Sequence, residues 1–353
     1  MKDDITFDWV FSYEHLLHCA YECFCGVRWK PSTQCFEVEV LERVSELKME
    51  LDAGTYKSKG FHSFDIWERG KKRHIQSVHI SERIVQKCLC EFCLKPVLEA
   101  CLINTNSASQ KGKGTDYALK HLKEDLRWHF ARYGTAGGIL IGDFHDFFGS
   151  IPHGELRIML KKKIQDKRLF KVAVYFIECF DGDKGLGLGS EISQICAIYY
   201  PNYIDHVVRE RYGVRYGRYN DDFYAISESM ELLIEVKTFI FEESDNLGLT
   251  LNPKKTVIVR LDQSFTWLKK RIHYTPTGKI IMRLVPKNIK DRRACIRKAV
   301  SDGRPKECRE QSRKSWEGYA LKYHGYKSVK SVRNYERSKE ELCSMPQKKT
   351  SNP

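Results

Sequence analysis

The sequence predicts an α+β fold in which a split βαβ sheet follows a mostly helical N-terminal region and precedes a basic helical segment. Three observations lead to it. Strand-like and helix-like stretches from Ile139 to Val259 follow the order β, α, β, β, α, β of a split βαβ unit. Two stretches near the N-terminus carry apolar residues close to a 3.6-residue period. The basic excess lies wholly at the C-terminal end, where residues 254–353 hold 27 Lys plus Arg against 9 Asp plus Glu and the remainder holds 33 against 37. A chain of 353 residues accommodates two or three sub-domains with adjoining cores.

The helix-like stretches run from Phe11 to Val27 and from Phe36 to Leu51, with a turn at Lys30, Pro31 and Ser32. Ser63 to Ile80 reads as a basic hairpin that turns at Glu68-Arg69-Gly70-Lys71, and helical periodicity returns from Ile80 to Cys101. The polar loop Asn104 to Gly114 combines Gly with Lys111 and Lys113, groups that can meet phosphate through backbone amides and ammonium. A helix from Tyr117 to Tyr133 ends at glycines, and Ile139-Leu140-Ile141 then forms a buried strand that delivers Asp143 at its end.

Beyond Ile151-Pro152 come a basic helix, Glu155 to Lys167, and an apolar one, Leu169 to Phe180. The loop Asp181 to Gly189 opens a long helix expected to run through Val208. Tyr216 to Ser227 reads as two strands around a tight turn at Asn220-Asp221. A helix from Met230 to Leu247, a strand-turn-strand from Leu249 to Val259 and a hairpin from Phe265 to Ile281 complete the pattern. The tail Met345 to Pro353 is polar and expected to be disordered.

Composition excludes several classes. No run of about 18 uncharged apolar residues occurs, and Lys2, Asp3 and Asp4 stand where a signal peptide would place its basic start and apolar core. A soluble, cytoplasmic chain with no membrane partner is expected. The thirteen cysteines are odd in number and lack paired Cys-x-x-Cys knuckles, so they read as reduced core thiols rather than a zinc site. The basic C-terminal segment is interleaved with Trp267, Tyr274, Trp316, Tyr319, Tyr323, Tyr326 and Tyr335, a composition suited to a nucleic-acid backbone.

Chemistry concentrates in two acidic segments. One strand-borne acid lies in Asp143-Phe144-His145-Asp146-Phe147-Phe148, and an adjacent pair lies in Tyr219-Asn220-Asp221-Asp222. Two aspartates flanked by aromatic residues in a sheet are costly unless a cation neutralises them. Joining nucleotides needs two divalent ions held by hard carboxylate oxygens.

These segments resemble the motifs of reverse transcriptases, Asp143 to Phe148 the first palm motif and Tyr219 to Asp222 the Tyr-x-Asp-Asp box. The resemblance implies a right-hand polymerase: fingers over 1–134, a ferredoxin-like palm over 135–281 with a fingers-side helical insertion near 155–183, and a helical thumb over 282–344. It implies two Mg²⁺ ions, or Mn²⁺, held by Asp143, Asp221, Asp222 and the Phe144 carbonyl. Phe148 matches the steric gate against a ribose 2′-hydroxyl.

Arg69 to Ile75 with Ile80 to Gln86 resembles the fingers motif, which implies that Lys72 and Arg73 grip the triphosphate and that Arg83 braces the fingers. His74 stands where the family usually has Pro. Gly185 to Gln194 resembles the motif beneath the nascent base pair, implying that Leu188, Gly189 and Gln194 adjoin the nucleotide. Leu188 replaces the usual Gln and Gln194 the usual Pro, a pattern similar to that of diversity-generating retroelement enzymes, whose copying is error-prone; Gly187 replaces a common Pro and is expected to loosen the loop. Gly248 to Thr256 resembles the motif whose lysine, here Lys255, is the general acid for pyrophosphate. Phe265, Trp267 and Leu268 resemble the primer grip, with Lys269 in place of the usual Gly. Ser315 to Tyr319 resembles the thumb helix of bacterial members.

The resemblance spans Gly26 to Tyr326 and implies a bacterial or phage-encoded RNA-directed DNA polymerase. Its partners would be an RNA template, a DNA or RNA primer, deoxynucleoside triphosphates, and an accessory protein or structured non-coding RNA, since no nuclease, zinc-knuckle or RNase H segment is visible. A ferredoxin-like sheet alone would also suit cyclases or RNA-binding modules. Anti-phage or retron-type reverse transcription, or a non-catalytic maturase-like RNA binder, are the alternative readings.

Overall fold

The computed structural model describes residues 5–68, 71–323 and 325–344; Arg69 and Gly70 of the hairpin turn, and the tail from Met345 expected to be disordered, lie outside them. The described chain mixes helices and sheets. It forms two compact units, one of residues 1–125 with 138–258 and one of 126–137 with 259–353.

The first unit opens with α1 (Phe7–Val10), α2 (Tyr13–Phe24), α3 (Pro31–Val38) and α4 (Val40–Asp52). Pro31 begins α3, because the first helical position needs no N–H. The single helix expected over Phe36 to Leu51 is interrupted at Glu39, whose backbone leaves the helical region at φ −109° and ψ 27°. A hairpin follows, β1 (Phe61–Glu68) against β2 (Lys71–Val78), in unbroken antiparallel register. Then come α5 (Ile80–Leu89), which continues through a π turn, and α6 (Lys95–Leu98). The helix α7 (Thr115–Tyr133) precedes the central sheet.

That sheet begins with β3 (Gly138–His145). The chain passes through α8 (Phe147–Ser150), α9 (His153–Lys161), α10 (Lys167–Glu178), α11 (Glu191–Tyr199) and α12 (Asn202–His206) to β4 (Arg215–Tyr219) and β5 (Asp222–Ser227). After α13 (Met230–Asn246) and β6 (Thr250–Leu251) comes β7 (Val257–Arg260). The strand order is β4-β5-β3-β6 with antiparallel neighbours, that of a split βαβ sheet. The long helix expected from Gly189 through Val208 is broken at Pro201, which caps α12 at φ −85° and ψ 21°; proline cannot supply the N–H that a continuing helix requires.

One apolar cluster joins Leu140 and Phe144 of β3, Phe223 and Ala225 of β5, Ile192 and Ile195 of α11, and Val236 and Ile240 of α13 to Leu16, Val44 and Ile84 of the N-terminal helices. Each Val, Leu, Ile or Phe among them contributes about 1.5–3 kcal/mol by leaving water. Cys19, Cys23, Cys88, Cys90, Cys93 and Cys196 are buried in this cluster as free thiols. Burial pushes Cys93 and Cys196 up to about 12, so both stay protonated and chemically quiet.

In the second unit β8 (Phe265–Trp267), β9 (Lys270–Tyr274) and β10 (Ile280–Leu284) form an antiparallel meander, so the hairpin expected from Phe265 to Ile281 carries a third strand. Three helices complete the unit: α14 (Pro286–Ser301), α15 (Lys306–Leu321) and α16 (Tyr326–Ser344). Lys270 is buried with its ammonium 4.3 Å and 4.2 Å from the ring centroids of Tyr319 and Tyr323, which ties the meander to α15. No helix among the described residues is long and apolar enough to cross a membrane.

Candidate active site

Gly142 is the residue that lets β5 close on β3. The ring of Phe223, its partner across the sheet, lies over it so closely that a Cβ there would come within 2.0 Å of the ring. The next pair in register is Asp143 with Asp222. Between β4 and β5, Asn220 takes a left-handed conformation at φ +53°, which asparagine tolerates better than most residues. This sharp reversal sets Asp221 beside β3, where its carbonyl accepts a hydrogen bond from the Phe144 N–H at 3.2 Å.

One carboxylate oxygen from each of Asp143, Asp221 and Asp222 lies within 4.8 Å of the others. Asp143 is buried and the other two are half-buried. Burial, reinforced by the charge of Asp143, raises the Asp221 carboxyl above the usual carboxylate range. Three hard oxygen donors at this separation could hold a divalent metal ion and suit soft metals poorly.

Lys255 is brought to the same cluster by its backbone. The Asn252 N–H donates to the Asp143 carbonyl at 2.8 Å, and the Asn252 carbonyl accepts from the N–H groups of Lys255 and Thr256 at 3.1 Å and 2.9 Å. The turn thus hangs from β3, and the Lys255 ammonium reaches Asp143 Oδ2 at 2.5 Å. Burial works to lower the ammonium's pKa, but the hydrogen bond and charge of Asp143, with Asp222 and Asp221 behind it, outweigh that and hold it above its ordinary value.

Phe144 turns its ring into the core against Phe147 and Phe223. Phe148 is half-buried, edge-on to Phe147 at 5.7 Å, and its carbonyl accepts from the Leu186 N–H at 2.7 Å. Leu188 is half-buried and its carbonyl accepts from the Gln76 N–H at 3.0 Å, which joins the 185–189 loop to β2. Gly189 stands at φ +117°, and Gln194 is exposed in the first turn of α11. The expected loosening at Gly187 is corrected: a Cβ there would fall 2.3 Å from the Phe180 ring and 2.4 Å from the Gln76 side chain, so glycine serves tight packing.

On β2, Lys72 and Arg73 are exposed, and Lys72 pairs with Asp65 at 2.8 Å rather than with the acid cluster. His74 keeps regular pairing opposite Asp65 and contacts its carboxylate at 3.0 Å. Arg83, expected to brace this region, is exposed, while its neighbour Glu82 is buried. Glu82 is fully buried and accepts from Ser58 Oγ at 2.5 Å, the Lys59 N–H at 3.1 Å and Gln86 Nε2 at 3.2 Å, while Gln86 Oε1 takes the Ser190 hydroxyl at 3.0 Å. The only sequence signal was an acid placed on the apolar face of an amphipathic helix.

The Asn104 to Gly114 loop is not open to phosphate through Lys113, whose ammonium donates to the carbonyls of Asn104 and Asn106, each at 3.2 Å. In the second unit Phe265 and Trp267 are buried, while Leu268 and Lys269 form the β8–β9 turn with φ of 44° and 61°. A lysine in that left-handed position explains why glycine is the more comfortable residue there.

A split βαβ sheet with its acids gathered on the first strand and the following hairpin is an arrangement that nucleotidyl transfer can use. Residues 58–277, well over half of the chain, match the family described as reverse transcriptase (RNA-dependent DNA polymerase). The chain belongs to that family and is an RNA-directed DNA polymerase. Comparison with curated proteins returns no match.

Proposed function

We propose that this chain copies RNA into DNA with Asp143, Asp221, Asp222 and the Phe144 carbonyl holding two Mg²⁺ or Mn²⁺ ions. The convergence of the three carboxylates within 4.8 Å carries this reading. Bound there, the ions would activate the primer hydroxyl and neutralise the leaving pyrophosphate. Lys255 would supply the proton that pyrophosphate needs, and Lys72 and Arg73 on β2 would pair with the triphosphate. The fingers would be residues 1–134, the palm 135–281 with the helical insertion near 155–183, and the thumb 282–344, whose helices are α14 to α16. An RNA template primed with DNA or RNA should be extended with deoxynucleotides when Mg²⁺ is added. Binding without extension on any template would support a maturase-like RNA binder instead.

Phe148 would exclude ribonucleotides as a steric gate. The Phe148→Val variant is expected to raise ribonucleotide incorporation relative to deoxynucleotide by about 10–100-fold, the discrimination that a few apolar atoms supply. Competing kcat/KM values measured on one template check this, and an unchanged ratio removes Phe148 from the role.

Leu188 and Gln194 support mutagenic copying of the diversity-generating kind, with an accessory protein or structured RNA supplied separately. An aliphatic side chain at 188 offers no hydrogen bond to the sugar or base. Restoring one with Leu188→Gln should lower the misincorporation frequency in sequenced cDNA several-fold without abolishing synthesis; equal error frequencies would remove Leu188 from fidelity.

A further inference from the structure

Arg218 is one residue before Tyr219 in the acidic hairpin, and its side chain is fully buried opposite an equally buried Asp205 of α12. The pairing is a two-pronged fork: Nε donates to Oδ1 at 2.8 Å and Nη2 to Oδ2 at 2.6 Å. Tyr216 donates its hydroxyl to the same Oδ1 at 2.8 Å. The remaining donors do not face solvent. Nη2 also reaches the Ile198 carbonyl at 2.7 Å, and Nη1 reaches the Asn220 carbonyl at 2.9 Å. The Arg218 backbone is itself clamped, its N–H donating to the Thr105 carbonyl at 3.2 Å and its carbonyl accepting from the Ser107 N–H at 2.9 Å.

Asn220 and Asp221 form the turn that presents two of the three acids. The Asn220 carbonyl is held by Arg218 and the Asp221 carbonyl by the Phe144 N–H, so the peptide planes on both sides of Asp221 are pinned, one to α11 and α12 and the other to β3. Asn220 is left-handed and its buried side-chain oxygen makes no hydrogen bond. A buried ion pair is a poor stabiliser, because desolvation offsets most of the Coulomb attraction and an apolar substitute is often as stable. Its value here is directional.

We propose that Arg218, oriented by Asp205 and Tyr216, is a positioning residue that holds the Asn220-Asp221 turn in the geometry needed to bind divalent metal. This rests on the metal-site reading above and adds to it the device that sets the separation of the acids. Removing the pin while preserving the core should therefore weaken metal binding more than it weakens the fold.

The test compares the parent with Arg218→Met/Asp205→Leu/Tyr216→Phe, which replaces the network by apolar groups of similar volume, and with the single variant Arg218→Lys, which keeps the charge but not the fork. Mn²⁺ affinity is read without substrates from the paramagnetic resonance signal of free Mn²⁺, alongside melting temperature and the Mg²⁺ concentration giving half-maximal cDNA synthesis. The expected result is a melting temperature within a few degrees of the parent for the triple variant. Mn²⁺ affinity should fall about tenfold or more in both variants, the Mg²⁺ requirement should rise in parallel, and the KM for deoxynucleotide should change less than threefold. Parent-like Mn²⁺ affinity in folded variants overturns the proposal and leaves the metal site intact. A parent that binds no Mn²⁺ and makes no cDNA overturns the metal-site reading itself. If the triple variant does not fold, Arg218→Lys alone decides, and parent-like affinity there also overturns the pin.

Discussion

Asp221→Asn is expected to lower cDNA synthesis by about 10³-fold or more, a rise of about 4 kcal/mol in the barrier, while leaving the protein as stable as the parent or more so. The substitution keeps volume and turn backbone but removes one of three charges that meet within 4.8 Å. The stability half follows from the raised Asp221 carboxyl, which burial and the charge of Asp143 disfavour in its ionised form. A carboxyl raised on folding contributes stability that is present below its unfolded pKa and is lost as pH rises through the raised value. Wherever the group is ionised it is therefore a burden on the fold, and asparagine lifts it. Primer extension and a thermal melt on the same preparation check both halves. Full activity in this variant would refute the assignment of the carboxylate cluster as the catalytic centre.

The second large effect is expected at Lys255. Lys255→Ala should reduce kcat by about 10²–10⁴-fold, the range for loss of a positioned general acid, with Lys255→Arg intermediate. Metal affinity should move the other way. The ammonium lies 2.5 Å from Asp143 Oδ2, on a carboxylate that a metal ion would also use, so its removal should leave Mn²⁺ binding unchanged or tighter. The Lys255 pKa is raised on folding, against burial, chiefly by its hydrogen bond to Asp143. The lysine's contribution is accordingly fully present below its ordinary value and is lost only as pH rises through the raised one. Single-turnover rates with a free Mn²⁺ titration separate the roles: loss of Mn²⁺ binding in Lys255→Ala would make the lysine a structural part of the acid cluster, and an unchanged rate would remove it from catalysis.

Much of this architecture is local and therefore readable along the chain. The strand that carries Asp143 announces itself as a short apolar run, the Asn220-Asp221 turn as a polar break between two β-prone stretches, and the β1–β2 hairpin as paired extended segments. Helix ends were less legible. Pro201 breaks what periodicity reads as a single helix, and Glu39 interrupts another without any proline or glycine to mark it. The third strand of the β8–β10 meander was missed because Ile280 to Leu284 is too short to show its own alternation.

What the amino-acid order determined by itself was the identity of the chemistry: which acids, on which kinds of element, in which succession. Hydrophobic period and turn chemistry act over a few residues, so they survive in a linear reading. Only the tertiary structure decided that Asp143 meets Asp222 in register, that Lys255 closes on Asp143 from 112 positions away, that Glu82 is buried and hydrogen-bonded to Ser58 and Gln86, that Gly187 is a tight fit rather than a loose one, and that Arg218 donates to the Asn220 carbonyl. Each of these depends on which surfaces pack together, and a buried charge declares its partner only once the groups that desolvate it are in place.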